Sequence, residues 1–243
     1  MNAFGVFWVA LATALATGLG VLPLAVFKTR SQRWVAVSNA VAAGFMVGAS
    51  VGLVYEGSSI SGARTAFGAV LGALFVWGSR TLIGEHEAHI GELRGANARK
   101  ALLIIGVMTV HSFTEGVGVG VSFAGDESLG ILIALAIALH NVPEGLAIAL
   151  VLIPAGSSTR SAAAWGIFSS LPQPIMAVPA FLGVEMVHTL LPMGLGFAAG
   201  AMTWLSVVYI VPEAREGASG RVVAGAVAGG AVTMLALGAL LAF

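Results

Sequence analysis

Cysteine is absent from all 243 residues. Its absence excludes disulfides and thiolate metal ligands, and leaves the redox compartment open. Charge is scarce as well: 9% of the residues are charged, against about 25% in soluble domains. The formal net charge is zero and no basic patch appears, so no nucleic-acid partner is expected. The only lysines, Lys28 and Lys100, stand at the ends of apolar runs. A retinal Schiff base needs a lysine inside a span, so a photoreceptor is excluded. No basic residue precedes Lys28, so the charged n-region of a cleavable leader is missing and none is expected. No H-E-x-x-H is present, which removes the commonest helical signature of a zinc hydrolase.

What remains is apolar: 58% of residues are hydrophobic and 33 are glycine, as expected where helices pack closely in lipid through small residues. A bilayer span takes about 20 apolar residues. Eight runs qualify: Ala3–Phe27, Trp34–Tyr55, Thr65–Ile83, Ala101–Phe123, Leu129–Ile153, Ser161–Gly183, Met186–Val211 and Val222–Phe243. They are too long for barrel strands and do not alternate, so the expected fold class is an all-α integral membrane protein of eight transmembrane helices, one transmembrane domain over residues 1–243. Ten of the eleven basic residues lie on odd-numbered connections and only Arg64 on an even one. The odd connections are therefore expected in the cytoplasm and both termini outside. The longest connection, Gly84–Lys100, carries Glu85, His86, Glu87 and His89. It reads as a solvated loop, with a weak cytoplasmic metal-capture site as the sharper alternative. The sixth run holds Pro172, Gln173, Pro174 and Pro179; its backbone must break, and Gln173 is expected inside the protein. In the eighth, Gly225 and Gly229 have GxxxG spacing, a packing signal.

Two matched segments stand near the middle of their runs: His111-Ser112-Phe113-Thr114-Glu115-Gly116 and, twenty-nine residues on, His140-Asn141-Val142-Pro143-Glu144-Gly145. Both follow H-x-x-x-E-G. A charge at the bilayer centre costs about 3 kcal/mol, so such residues are rare there and usually functional. Residues four apart share a helix face, about 6 Å apart along the axis. Set side by side, the two faces would enclose two imidazoles and two carboxylates, donors suited to zinc, iron, manganese, cobalt or cadmium. Pro143 cannot donate to the Leu139 carbonyl and leaves it as a further ligand for metal or water. Thr114 has the matching place, where its hydroxyl is expected on the Val110 carbonyl. Gly116, Gly118 and Gly120 let a neighbouring helix approach. A His–Glu pair can also serve only to join helices, but two copies at one depth speak against that alone.

The run from Arg99-Lys100 into His111-x-x-x-Glu115-Gly116, followed by His140-Asn141-Val142-Pro143-Glu144-Gly145, resembles the ZIP (zinc/iron permease) metal transporters, and the bacterial GufA-like branch in particular. The resemblance covers the chain end to end. It implies import of a divalent metal, zinc foremost and also iron, manganese, cobalt or cadmium, toward the cytoplasm by alternating access. It further implies a homodimer in a bacterial plasma membrane, and an inverted repeat of spans 1–3 against spans 6–8 around a central pair, spans 4 and 5. One bundle, spans 1, 4, 5 and 6, would carry the metal against the other four. The primary site would use His111, Glu115, His140 and Glu144, with Met46 approaching from the second span. A neighbouring second site would draw on Ser112, Asn141 and Gln173 and share both glutamates. Here the branch commonly has Asn for Ser112 and Glu for Gln173, so a single-metal site is expected; Tyr209 stands where an acidic residue is frequent. The metal is cargo, no cofactor is implied and the protein is not expected to be an enzyme. The competing classes are an intramembrane metalloenzyme using the same ligands to activate water, and a gated channel.

Overall fold

The computed structural model describes residues 1–26, 32–84, 96–153 and 156–241, and every regular element among them is helical. In chain order these are α1 (Ala3–Ala16), a 3-10 turn (Thr17–Val21), α2 (Leu22–Val26), α3 (Gln32–Gly84), α4 (Ala96–Gly125), α5 (Glu127–Leu152), α6 (Thr159–Ser170), α7 (Pro172–Met186), a second 3-10 turn (His188–Leu190), α8 (Leu191–Leu205), a π-helical turn (Ser206–Ile210), α9 (Val211–Gly217) and α10 (Gly220–Leu241). Among the described residues, six helical runs are long and apolar enough to cross a membrane, the mark of a multi-pass membrane protein.

The second and third expected spans join in one element, α3, broken at Ser61 with φ −161° and ψ 99°. In an unbroken helix Gly57 and Thr65 would be about 12 Å apart along the axis. Instead a Cβ at Gly57 would lie 2.7 Å from Thr65 Oγ1, so the chain folds back at Ser61. The half before the break packs on α10, where Gly44 and Gly48 face Val227, Gly230 and Met234. The half after it packs on α8, where Gly196 and Gly200 lie against the backbones of Thr65 and Ala69. A side chain at any of these glycines would push the helices apart.

The first expected span is not one helix. At Thr17 the N–H turns to the carbonyls of Ala14 and Leu15, the α-helix tightens through Gly18 and Gly20, and it resumes only at Leu22. Gly20 is required there, since its Cβ would strike the backbone of Gly145 and Leu146 on α5. The sixth span breaks where its prolines predict, at Leu171 between α6 and α7. The seventh extends past Val211 to Gly217 through the π-helical turn that carries Tyr209, just before Pro212; a proline cannot bond the carbonyl four residues back, and the local winding relaxes to suit. The GxxxG pair makes no packing contact with the described residues of this chain: nothing among them lies within 4 Å of a Cβ at Gly225 or Gly229, and Gly230 is the glycine that meets Val41 and Gly44. The His86/His89 capture site falls on residues 85–95, outside the described residues.

At the centre, α4 packs on α5, α7 and α8, while α5 packs on the first 3-10 turn, α3 and α1. The two H-x-x-x-E-G segments therefore meet in the middle of the bundle, with a broken helix behind each.

Candidate metal centre

α4 and α5 both stay helical through their motifs, α5 despite Pro143. The i, i+4 spacing therefore holds, and each helix presents one imidazole and one carboxylate on one face. The four side chains are buried, and one ligand atom from each lies within 4.8 Å of the others. His111 Nε2 is 3.1 Å from His140 Nε2, with the rings nearly perpendicular at 89°. Glu115 Oε1 is 3.2 Å from His111 Nε2 and 3.9 Å from His140 Nε2, and Glu144 Oε2 is 3.9 Å from His140 Nε2.

These distances discriminate between readings. Zinc bonds nitrogen and oxygen at about 2.0–2.2 Å in a tetrahedron, which puts neighbouring donors about 3.4 Å apart. These four separations bracket that edge length, and the whole set of ligand atoms stays within 4.8 Å. Both oxygens of Glu115 and both of Glu144 are buried and, beyond the imidazole contacts just given, have no hydrogen-bond partner among the described residues. Helix glue would spend those oxygens on donors, since an unsatisfied buried carboxylate is costly. Four converging donors with unused lone pairs are instead what a cation of charge two would satisfy.

Beside this centre lie three further buried groups. Asn141 Nδ2 donates to the Thr13 carbonyl at 2.7 Å and to Gln173 Oε1 at 3.3 Å. The break in α1 makes the first bond available, because the Thr17 N–H no longer uses that carbonyl. A carbonyl can only accept, so the amide nitrogen of Asn141 must face Thr13 and the orientation of the side chain is fixed. Ser112 Oγ, Asn141 Oδ1 and Gln173 Nε2 are buried without partners. The structure thus brings Asn141 and Gln173 into contact and buries Ser112 on the same turn as His111. Met46 is buried in α3, with the Ser206 hydroxyl 3.4 Å from its sulfur.

One expected contact is replaced. Thr114 Oγ1 donates to the His111 carbonyl at 2.7 Å, one residue closer than Val110. That bond ties the threonine to the backbone of a candidate ligand. The glycines behave as expected on α4: a Cβ at Gly116 would meet the Gln173 backbone, one at Gly120 the Ala177 carbonyl, and one at Gly118 the looser side chains of Ala198 and Met202. Three features were not read from the sequence: the Thr13 carbonyl as a partner of Asn141, the Thr17–Ser170 hydroxyl contact of 2.8 Å, and the hydroxyl on Met46. The repeated glycine after each glutamate was the one signal that pointed to a close backbone neighbour.

Long apolar helices around a buried His–Glu cluster define a multi-pass membrane protein with a candidate divalent-metal centre. A family model described as ZIP zinc transporter matches residues 78–241. The chain is 34% identical over 221 residues to the zinc transporter GufA of Myxococcus xanthus, covering 83% of this chain and 85% of that one. It is 45% identical over 234 residues to a putative zinc transporter of Arabidopsis thaliana, covering 95% of this chain but 38% of the relative. Against the human zinc transporter ZIP11 it is 35% identical over 164 residues, 62% of this chain and 46% of the relative. The chain therefore belongs to the ZIP zinc transporter family, whose members are transporters and not enzymes. It spans well under half the length of the plant relative and about half that of the human one.

Proposed function

We propose that this protein moves divalent metal ions, zinc foremost, across the membrane toward the cytoplasm by alternating access. His111, Glu115, His140 and Glu144 hold the ion at mid-membrane. The observation that carries the reading is the convergence of these four buried donors, at separations fitting one tetrahedral ion, on helices of a chain in the zinc transporter family. In this reading the two carboxylates offset the charge of the ion inside a low-dielectric medium, and the two imidazoles select a borderline metal over hard cations such as magnesium. Iron, manganese, cobalt and cadmium share enough of that chemistry to compete.

The finer architecture follows the same reading: eight spans, both termini outside, in the plasma membrane of a bacterium, and a homodimer. An inverted repeat of spans 1–3 against 6–8 is supported by paired contacts. Gly145 on α5 lies against the break that ends α1, and Gly116 on α4 lies against the break that starts α7. The first half of α3 with α10 and α8 with the second half of α3 form a like pair, each seated on glycines four apart. Broken helices at the midplane are the usual setting of a carrier site. Asn141, Ser112, Gln173 and Met46 complete the surroundings. With Gln173 offering an amide in place of a carboxylate, one ion occupies the pathway in each protomer.

Uptake by the purified protein in liposomes tests the reading, with zinc set against iron, manganese and cadmium inside one assay. Saturable zinc entry is expected. No metal entry above that of empty liposomes would overturn it, and conductance bursts would indicate a channel.

A further inference from the structure

Each carboxylate of the candidate centre is followed by a glycine with no room for a Cβ. At Gly116 that atom would collide with the backbone of Gln173, and at Gly145 with the carbonyl of Thr17. Each carboxylate is thus braced by backbone from a broken helix: Gln173 lies just past the break between α6 and α7, and Thr17 begins the turn that ends α1. The two breaks are joined. Thr17 Oγ1 and Ser170 Oγ are 2.8 Å apart and buried, though 153 residues separate them in the chain. Ser170 Oγ also lies 3.2 Å from the Gly166 carbonyl. That carbonyl can only accept, so both contacts are satisfied together when Ser170 directs its proton there and Thr17 donates to Ser170.

We propose that the Thr17–Ser170 hydrogen bond is a selectivity clasp: it fixes the distance between the two braces, hence the spacing of Glu115 and Glu144, and hence the radius of the divalent cation the centre prefers. Neither hydroxyl is among the four candidate donors; both are positioning residues, and the inference rests on the metal-binding reading above. The argument is geometric. The separations between the two helices, 3.1 Å between the imidazoles and 3.9 Å from Glu115 to His140, with every donor within 4.8 Å of the others, suit a small tetrahedral ion, whereas longer metal–ligand bonds need the two helices further apart. Packed backbones transmit such a displacement because the interior has almost no void to absorb it. A clasp that opens lets the braces separate and favours the larger ion.

Thr17→Val isolates the effect. It keeps the shape of the side chain, removes only the donor, and leaves Ser170 its Gly166 acceptor, so no buried proton is orphaned. Competitive binding of zinc and cadmium to the purified full chain is read for the wild type, Thr17→Val and Thr17→Ser, with His140→Ala as the control that assigns binding to the centre. The preference for zinc over cadmium should fall about fivefold in Thr17→Val, the equilibrium effect of one ordinary hydrogen bond, and be kept by Thr17→Ser. A lower Tm with an unchanged zinc-to-cadmium ratio would make the bond merely structural and overturn the clasp. If Thr17→Val does not fold, Ser170→Ala carries the same expectation, and an unchanged ratio there overturns it equally. Loss of both metals already in the wild type, or binding that survives in His140→Ala, would refute the metal-site reading itself, and the clasp with it.

Discussion

Adding one methyl group at Gly145 is a severe test of how the centre is held. The Cα of Gly145 faces the carbonyl of Thr17 so closely that an alanine Cβ would overlap it, with the Thr17 side-chain methyl a further 3.2 Å contact. The obstruction is backbone, which cannot rotate away as a side-chain end would. Either α1 and its 3-10 turn move off α5 or α5 bends. Overpacking of this kind costs about 1–3 kcal/mol, which for a chain of 243 residues amounts to a fall in Tm of several degrees, at roughly 2–4 °C per kcal/mol. The shift also breaks the 2.7 Å bond between Asn141 and the Thr13 carbonyl, since both partners lie on the elements forced apart. Gly225→Ala is the matched control: the same methyl enters open space on α10, and the helix gains up to about 1 kcal/mol of propensity. Thermal unfolding in detergent and zinc uptake in liposomes are to be measured on both proteins. Gly145→Ala is expected to be less thermostable and to take up zinc more slowly, while Gly225→Ala matches or exceeds the wild type. Equal Tm and equal uptake for Gly145→Ala would refute the close packing of α1 on α5.

Three further outcomes are expected. Gln173→Glu places a third carboxylate beside Glu115 and Glu144, so binding stoichiometry by calorimetry should rise from one zinc per protomer to two; two in the wild type would show that Ser112, Asn141 and Gln173 suffice without the extra charge. Metal binding requires the coordinating nitrogens of His111 and His140 to be free of protons, so apparent zinc affinity should decline on acidification. Affinity unchanged from neutral to mildly acid pH would assign the ion to the carboxylates and backbone. Thr159→Cys, an exposed position at the start of α6 beside Arg160, should resist membrane-impermeant thiol reagents in intact cells; labelling from outside would invert the orientation read from the basic residues.

The parts of this structure legible in the sequence are those with a local cause. Apolar runs announce helices. Spacing of four puts His111 with Glu115 and His140 with Glu144 on common faces. Three prolines in one run announce the break at Leu171. The parts that stayed hidden depend on partners distant in the chain. The first span reads as continuous, because Gly18 and Gly20 are ordinary inside a membrane helix; only contact with Gly145 and Leu146 makes the turn at Thr17 necessary. The carbonyl of Thr13 has no sequence signature at all, since every residue carries one. Gly225 and Gly229 show the opposite failure: their spacing is right for packing, yet their neighbour within the chain is Gly230's and not theirs. Thr114 chooses the nearer of two carbonyls in reach, a choice of rotamer that spacing does not decide. The reversal between the second and third spans is legible, since the apolar runs stop at Tyr55 and resume at Thr65; what the sequence does not show is that helix continues to both sides of a single extended residue, Ser61.

The central claim is that one zinc ion sits among His111, Glu115, His140 and Glu144 on its way through the protein. Anomalous diffraction at the zinc edge, from zinc-soaked crystals of the wild type and of Glu144→Ala, locates the ion directly. The account predicts one strong peak per protomer at about 2.0–2.2 Å from both Nε2 atoms and from carboxylate oxygens of both glutamates, and its loss or severe weakening in Glu144→Ala along with zinc uptake. A peak elsewhere in the bundle, or an undiminished peak and wild-type uptake in a well-folded Glu144→Ala protein, would contradict it.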